Sequence, residues 1–220
     1  MRRRPITKAP DAALARARYS RSARSYDRWT RFADRYRRRA VECLDLRAGD
    51  RVLDVACGTG ANFALLHAGV GATGEIVGVD LSPEMLAIAA EHARTAGLRN
   101  VRLIEAAVED AELPGPVDAA LFSLTHDVLQ SRRALENVAA ALRPGARVAS
   151  FGSKWAPRWR LPVNAYVWFV ARRYVTTFAG FNRPWSELEL LVPSLRVDEV
   201  GLGGAYIACG ETRLSYGDPT

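Results

Sequence analysis

Hydrophobic and polar positions alternate along the middle of the chain in a rhythm that predicts strands separated by helices. Five short apolar runs are typical of buried strands: RVLDVAC from Arg51, EIVGVDLS from Glu75, NVRLIEAA from Asn100, VDAALFSL from Val117 and ARVASFG from Ala146. Stretches with helical spacing lie between them, including ANFALLHAG, PEMLAIAAEHARTAG and SRRALENVAAALRPG. Because this alternation is typical of parallel sheets covered on both faces, a doubly wound α/β fold with right-handed crossovers is expected.

The two ends of the chain depart from this rhythm. Residues 12–46 have helical spacing, with aromatic residues between arginines, which predicts one or two helices before the sheet. Residues 164–178 and SELELLVPSL predict two more helices, and RVDEVGLGGAYIACGETR predicts a hairpin that turns at Gly203 and Gly204. We therefore predict a Rossmann-like, seven-stranded sheet that is mostly parallel, with a C-terminal antiparallel hairpin and an N-terminal helical segment.

Composition limits the class of protein. The 220 residues are 49% hydrophobic and 25% charged, which fits one globular domain and excludes a disordered chain. No apolar run approaches the roughly 20 residues that span a bilayer, and MRRRPITKAP lacks the apolar segment of a secretory signal, so we expect a cytoplasmic protein.

Positive charge is concentrated near the start of the chain. The formal net charge is +7, and residues 1–50 contain 15 Lys or Arg against 6 Asp or Glu. Such an arm could meet nucleic acid, anionic lipid or an acidic substrate, and it could equally be a solvated helix face.

The cysteines suggest no cross-link. Cys43, Cys57 and Cys209 are far apart, odd in number and without a CxxC pair, so reduced thiols are expected. Since no cluster of His, Cys or carboxylate has ligand spacing, we expect no metal.

The first predicted strand ends in an acid, Asp54, and continues into small residues. Open α/β sheets bind ligands beyond the carboxyl ends of their strands, where Gly58 and Gly60 would let the backbone approach closely. A GxGxxG dinucleotide fingerprint does not fit because Phe63 holds its third position, and the chain has no GxxxxGK[ST] loop. Asp80 ends the second strand, 20 residues beyond Gly60, where an acid binds both hydroxyls of an unphosphorylated ribose.

LDVACGTG and VGVDLSPEML resemble the first two motifs of class I S-adenosylmethionine-dependent methyltransferases. LRPGARV, from Leu142, resembles the Pro-Gly turn before the fifth strand of that family, and the resemblance covers residues 19–210. It implies S-adenosylmethionine as the cofactor and S-adenosylhomocysteine as its product. One departure is Ala56, which stands where the motif has its first glycine and which is acceptable there if its φ is negative.

The resemblance also implies which residues contact the cofactor. Gly58 and Gly60 would pass beneath the methionine part, Asp54 would order that loop or meet the amino group, and Asp80 would hold the ribose. Either Glu109 or Asp110 would meet the adenine amino group, unless both only begin a helix. The expected cofactor contacts are Tyr19, Tyr26, Asp54, Ala56, Gly58, Gly60, Asp80, Leu81, Met85, Glu109, Asp110 and Ser123.

YSRSARSYD, residues 19–27, resembles the YxxxAxxYD segment of methyltransferases of ubiquinone and menaquinone biosynthesis. In those enzymes the segment folds over the cofactor as a lid, which would place Tyr19 or Tyr26 near the sulfonium. Aromatic faces attract cations, although ordinary helix packing of the two rings is an alternative. We accordingly divide the chain into an Arg-rich helical arm or lid, residues 1–46, and a methyltransferase domain, residues 47–220.

Methyl transfer from a sulfonium is an in-line displacement, so most catalysis can come from positioning in a dry pocket. A base is needed only if the acceptor loses a proton. His126, just past the fourth predicted strand, is the candidate base, and Tyr26 is a second candidate catalytic residue. His126 could instead shape the pocket or bond to the backbone.

The acceptor is expected to be a small molecule. FSLT stands where nucleic-acid base-amino and protein glutamine methyltransferases carry [DN]PP[YFW], so nucleic acid is not the expected partner. Residues 151–195 differ most from the family and are rich in aromatics and arginines, which predicts an acceptor-pocket insertion. The expected acceptor contacts are Trp155, Tyr166, Arg172, Tyr174 and Trp185.

The predicted function is methyl transfer to oxygen, nitrogen or carbon of a quinone-like or specialised metabolite, by a monomer or homodimer. Three alternatives remain open. They are a phospholipid head-group N-methyltransferase working at a membrane surface, a non-catalytic protein that binds S-adenosylmethionine, and an enzyme that uses this cofactor for another transfer or a cyclisation.

Overall fold

The computed structural model describes residues 6–213, except for the side chains of Ser22, Arg24 and Trp29. Within this range the chain forms one seven-stranded sheet in the order β3-β2-β1-β4-β5-β7-β6. The strands are β1 (Arg51–Val55), β2 (Glu75–Asp80), β3 (Val101–Glu105), β4 (Val117–Ser123), β5 (Leu142–Ser153), β6 (Arg196–Val200) and β7 (Ala205–Glu211). β1 to β5 pair in parallel, and β7 is antiparallel to β5 and β6. The predicted fold, with its C-terminal hairpin, is confirmed.

Eight α-helices surround the sheet within the same residues: α1 (Ala12–Thr30), α2 (Asp34–Glu42), α3 (Phe63–Val70), α4 (Pro83–Thr95), α5 (His126–Leu129), α6 (Arg132–Ala141), α7 (Leu161–Ala171) and α8 (Ser186–Leu191). Side chains cap three of them. Asp11 accepts from the amide of α1, Ser82 from that of α4 and Ser131 from that of α6. These residues satisfy backbone donors that a helix leaves without partners in its first turn.

Alternate residues of the strands pack into two cores, one on each face of the sheet. Leu53 and Val55 of β1 belong to the core beneath α6 and α8, whereas Val52 belongs to the core beneath α2, α3 and α4. All three side chains are fully buried. Because both faces are covered, the central strands read as continuous apolar runs.

The N-terminal helices lie against the sheet and α4. The predicted one or two helices are two, α1 and α2, joined by a 3-10 turn, Arg31–Ala33. Ser20 Oγ on α1 donates to Glu84 Oε2 at 2.6 Å, and Thr59 Oγ1 donates to Asp27 Oδ1 at 2.5 Å. These two bonds hold α1 over the carboxyl ends of β1 and β2.

The predicted helix over residues 164–178 ends early. α7 stops at Ala171, the amides of residues 172–175 form local turn bonds to α7, and from Thr176 the backbone bonds to other parts of the chain. Thr176 N donates to both carboxylate oxygens of Asp127, and Thr176 O accepts from Thr7 N at 2.8 Å. Tertiary hydrogen bonds thus replace the helical ladder.

The expectation of reduced thiols is wrong for two of the three cysteines. Cys43, just after α2, and Cys209, in β7, form a disulfide across a sequence separation of 166 residues. The fold brings their Cα atoms to 5.9 Å, a distance that sequence spacing could not reveal. Cys57 is a buried free thiol. In the described part of the chain no helix has the length and apolar character needed to cross a bilayer.

Candidate active site

A cavity of about 290 Å³ lies at the carboxyl ends of β1, β2 and β4, beneath α1. We call it the cofactor cavity. Its lining residues are Pro10, Asp11, Ala12, Ala15, Tyr19, Tyr26, Ala56, Gly58, Asp80, Leu81, Glu109, Ser123, Leu124, Thr125, Asp127, Val128, Gln130 and Ser131. This is the sheet edge where the sequence predicts a nucleoside site.

The turn after β1 requires its small residues. Gly58 has φ +56 and open space where a Cβ would stand, so the backbone itself forms the cavity wall. Gly60 has φ +73, and a Cβ there would lie 2.4 Å from the Phe63 ring. Ala56 has φ +50. The negative φ that would make alanine acceptable is therefore not present, and Ala56 adopts the left-handed conformation of the glycine that it replaces.

Asp80 joins the two loops that form the floor of the cavity. One carboxylate oxygen accepts from Gly58 N at 2.9 Å and the other from Ser82 N at 2.9 Å. Burial raises the pKa of Asp80, and the backbone N–H donors oppose that shift because they stabilise the charged form. Asp80 and Leu81 both line the cavity, as the sequence prediction requires.

Asp54 and Met85 are outside the cavity wall. Asp54 is fully buried, and Asn62 Nδ2 lies 3.1 Å from each of its carboxylate oxygens. Desolvation raises the pKa of Asp54 to about 7. It can therefore order the loop, the first of its two expected roles, but it does not face the ligand space. Met85 is also fully buried, packed with Tyr26 beneath the lid, so it cannot flank an adenine without rearrangement.

The sequence does not decide whether Glu109 or Asp110 faces the ligand, and the structure places the two side chains differently. Glu109 lines the cavity, whereas Asp110 points outward to an ion pair with Arg133 at 2.8 Å. Ser123 at the end of β4 lines the cavity as expected. The buried hydroxyls of Ser123 and Thr125 have no hydrogen-bond partner among the described residues.

Tyr19 and Tyr26 stand between the cofactor cavity and a second, smaller one. Their rings contact each other edge to face at 6.1 Å, and both contact Tyr174, at 5.9 and 5.2 Å between centroids. Burial raises the pKa of both phenols, so they are neutral at physiological pH. The segment that the sequence predicts to be a lid therefore places aromatic rings at the cavity wall.

The second cavity, which we call the aromatic cavity, has a volume of about 50 Å³. Its wall consists of aromatic, aliphatic, hydroxyl and imidazole side chains and backbone. The lining residues are Tyr19, Tyr26, Thr30, Phe32, Leu124, His126, Gly152, Ser153, Val170, Ala171, Tyr174, Val175, Phe181, Pro184 and Tyr206. Because Tyr19, Tyr26 and Leu124 line both cavities, the two spaces adjoin.

His126 is a neutral member of that wall. Its Nε2 lies 3.0 Å from Ala179 O, so Nε2 carries the hydrogen and donates it. The buried Nδ1 is left without a partner among the described residues, and the ring meets Phe181 edge to face at 4.8 Å. Desolvation lowers the pKa of His126 to about 4. The residue thus bonds to the backbone and shapes the pocket, and its remaining lone pair makes it a hydrogen-bond acceptor.

Of the five residues predicted to contact the acceptor, Tyr174 lines the aromatic cavity. Trp155 packs on Phe178 and Phe181, and Trp185 packs on Tyr206 in the core. The other two predicted residues face outward. Tyr166 is 54% exposed, and the Arg172 guanidinium stacks on Trp168. Composition identified an aromatic region, but only packing decides which rings face the ligand space.

Sequence reasoning missed the residues that close the cavity from above. Asp11 caps α1, and its N–H donates to Thr176 Oγ1 at 3.1 Å. Thr176 Oγ1 in turn donates to Asp127 Oδ2 at 2.8 Å. Arg18 donates to the Val175 carbonyl. The helix-start signal of Asp11 was readable, but the link to residues 175–176 arises from the fold alone.

A family model described as a methyltransferase domain matches residues 52–145. The demethylmenaquinone methyltransferase of Listeria welshimeri is 28% identical over 162 residues, which cover 70% of this chain and 67% of that protein. These matches support a class I S-adenosylmethionine-dependent methyltransferase. The demethylmenaquinone methyltransferase of Staphylococcus aureus is 39% identical to this methyltransferase over 79 residues, 36% of this chain and 31% of that protein.

Solved structures agree with the fold of the methyltransferase. A S-adenosylmethionine-dependent methyltransferase from Aquifex aeolicus has a TM-score of 0.60 at 24% identity, covering 80% of this chain and 89% of that one. The [4+2]-cyclase SpnF has a TM-score of 0.70 at 17% identity, and the match covers 97% of this chain and 100% of that one. At these identities the likeness concerns architecture.

The cofactor of the methyltransferase is S-adenosylmethionine, and the residues of the cofactor cavity fit it. The open Cβ side of Gly58 leaves room for close approach of a ligand to the backbone. Asp80 presents a carboxylate suited to ribose hydroxyls, and Ser123 and Thr125 supply buried hydroxyls without partners in the described chain. The neutral rings of Tyr19 and Tyr26 suit a sulfonium.

Proposed function

We propose that this methyltransferase methylates a small, uncharged ring compound of the quinol or phenol type that carries apolar substituents. The observation that carries the proposal is the aromatic cavity, which adjoins the cofactor cavity at Tyr19 and Tyr26. Rings such as those of Tyr174 and Phe181 favour a planar apolar ligand through stacking and edge contacts. Two relatives named as demethylmenaquinone methyltransferases support the same chemical class.

S-adenosylmethionine, when bound, supplies an electrophilic methyl group on a sulfonium. In the proposal Asp80 holds the ribose hydroxyls and Glu109 the adenine amino group. Tyr19 and Tyr26 exclude water from the point where the two cavities meet, so that the acceptor is held in line with the methyl group. The lid held down by Asp27 and Ser20 provides that exclusion.

His126 is proposed to position the acceptor. With Nε2–H donated to Ala179 O, its Nδ1 lone pair is suited to accept from an acceptor hydroxyl. Because the pKa of His126 is about 4, the ring stays neutral and keeps this lone pair at physiological pH. The hydroxyl would be oriented, and its oxygen made more electron-rich, by this hydrogen bond.

Acceptor binding requires movement of the wall. The aromatic cavity of about 50 Å³ has room for a few water molecules rather than for a substituted ring. Tyr174 and Phe32 are the proposed moving groups, because both line the cavity and remain partly exposed. A quinol-type ring is favoured over a phospholipid head group, since the wall offers rings and hydroxyls where a phosphate would need cations.

The test is methyl transfer from labelled S-adenosylmethionine to detergent-solubilised acceptors. The panel contains a short-tailed demethylnaphthoquinol, a simple catechol and phosphatidylethanolamine. We expect label in the naphthoquinol, with Tyr174→Ala lowering kcat/KM at least about tenfold by loss of positioning. Trp168→Ala, a change at an exposed ring on the outer face of α7 that does not line the aromatic cavity, should leave it within about twofold. Label in phosphatidylethanolamine alone, or equal effects of the two variants, would contradict the proposal.

A further inference from the structure

α7 and its flanking residues present a large apolar surface to solvent. Its members, which we call the α7 face, are Phe32, Trp159, Leu161, Tyr166, Trp168, Phe169 and Leu202, with exposed fractions from 42% to 74%. Trp159 alone is 74% exposed and Leu161 71%. Contiguous exposed apolar patches on soluble domains mark interaction sites.

The sequence of α7 explains why this face has no internal partner. Val167 and Ala171 point inward, against Phe181 and Val175. The opposite side of the helix is also apolar, because LPVNAYVWFVA contains no charged residue. A surface helix ordinarily carries polar residues on its outer side, whereas a helix that is apolar all round is covered on all sides.

Arginines surround this apolar surface. Residues 155–173, which include α7, contain no Asp or Glu and four arginines, Arg158, Arg160, Arg172 and Arg173. Three guanidinium groups lie over exposed rings: Arg160 over Trp159 at 4.5 Å, Arg172 over Trp168 at 4.3 Å and Arg173 over Phe169 at 4.2 Å. Tryptophan rings, aliphatic side chains and arginines on one surface match the composition of segments that lie in the interfacial zone of a bilayer.

We propose that the α7 face docks into the surface of a lipid bilayer that contains anionic lipids. The apolar side chains would enter the boundary between head groups and acyl chains, and the surrounding arginines would meet lipid phosphates. A second copy of the chain is the less favourable occupant, because a symmetric contact through this face would bring two cationic rims together.

The α7 face adjoins the aromatic cavity. Phe32 belongs to both, and its ring meets Tyr166 at 6.3 Å between centroids. On the other side of α7, Val170 and Ala171 line the cavity. Docking would therefore hold the cavity beside the bilayer, so that an apolar acceptor could pass from the lipid without crossing water. This consequence rests on the proposed function, but the docking itself does not.

The test is flotation of the full-length protein with vesicles, without cofactor or acceptor. Vesicles of phosphatidylcholine are compared with vesicles of phosphatidylcholine and phosphatidylglycerol. We expect binding to the anionic vesicles, weaker binding to the neutral ones, and weakening with salt. No binding to anionic vesicles at low salt would overturn the proposal.

Matched variants locate the surface. Leu161→Ser should weaken vesicle binding several-fold, and Leu190→Ser, a change at an equally exposed leucine on α8, should not. Arg158→Glu should weaken it about tenfold, whereas Arg99→Glu, in the exposed turn before β3 at the far edge of the sheet, should have little effect. Equal effects within either pair would refute the assignment of the surface.

Two controls separate this proposal from its competitors. Asp80→Ala, which tests the cofactor site, should bind vesicles like the unaltered protein, so failure of one proposal does not imply failure of the other. Light scattering after size exclusion tests the second copy. A dimer that Leu161→Ser dissociates, with vesicle binding unchanged, would assign the α7 face to self-association and overturn the docking proposal.

Discussion

The two adjoining cavities are built in different ways. The cofactor cavity takes its key groups from strand ends and the turns after them: Ala56 and Gly58 follow β1, Asp80 ends β2 and Ser123 ends β4. The aromatic cavity is assembled from side chains of separate segments, among them α1, β5, α7 and residues 174–184. The first depends on backbone geometry that short motifs encode, and the second on packing between distant parts of the chain.

The largest expected effect is on the free energy of unfolding. It distinguishes Trp185, an aromatic residue of the core, from Tyr174, an aromatic residue of the cavity wall. Trp185 is 6% exposed and packs on Tyr206 at 4.7 Å, so Trp185→Ala should lower the free energy of unfolding by about 3–5 kcal/mol. Tyr174→Ala should cost clearly less stability, because Tyr174 is only partly buried, while impairing turnover. Denaturant titration of both variants measures this. Equal destabilisation would erase the distinction between core and cavity wall.

The next effect concerns the cofactor cavity. Asp80→Ala should weaken S-adenosylmethionine binding by about 1.5–3 kcal/mol, since it removes a charged hydrogen-bond partner and loosens the loop at Gly58. Asp110→Ala is the matched control, because Asp110 faces outward to Arg133. Calorimetric titration gives both affinities. A normal affinity in Asp80→Ala would mean that the ribose lies elsewhere.

Burial of His126 in the wall of the aromatic cavity should make the protein less stable as the pH falls. The pKa of His126 is lowered from 6.5 to about 4 in the folded protein. As pH falls below the unfolded value, the unfolded chain takes up a proton that the folded chain does not, so stability decreases. Between pH 8 and pH 5 this loss is about 2 kcal/mol for His126. Denaturant titrations at several pH values would compare the free energy of unfolding of the unaltered protein with that of His126→Gln. The same pH dependence in both proteins would mean that His126 is not held neutral.

The smallest effect concerns the strained turn. Ala56→Gly should raise the free energy of unfolding by about 0.5 kcal/mol. The strain that alanine suffers at a φ of +50 is relieved, and this gain exceeds the entropic cost of folding a chain that glycine makes more flexible. Ala107, with φ −64, is the control, and Ala107→Gly should be destabilising. A loss of stability in both variants would show that the conformation of Ala56 is unstrained.

Sequence reasoning succeeded where periodicity or a local motif carries the information. The strand-helix rhythm predicted the sheet and its hairpin, and the acid at the end of β2 pointed to the edge where the cofactor cavity lies. Both tyrosines of the YxxxAxxYD segment line the cofactor cavity, and the function of that segment as a lid stays a prediction.

What the sequence could not predict depends on tertiary contacts. The disulfide joins Cys43 to Cys209 across 166 residues. The early end of α7 depends on Thr176 bonding to Asp127. Trp155 and Trp185 have the composition of pocket residues, yet both pack into cores, and no local pattern distinguishes them from Tyr174.

The most direct test of the account is a crystal structure of the protein with S-adenosylhomocysteine. We predict that the ribose hydroxyls contact Asp80, that adenine lies beside Glu109, and that the sulfur lies between Tyr19 and Tyr26 and faces the aromatic cavity. A sulfur that faces away from that cavity, or a ribose that does not contact Asp80, would contradict the claim that the two cavities are the two halves of one active site.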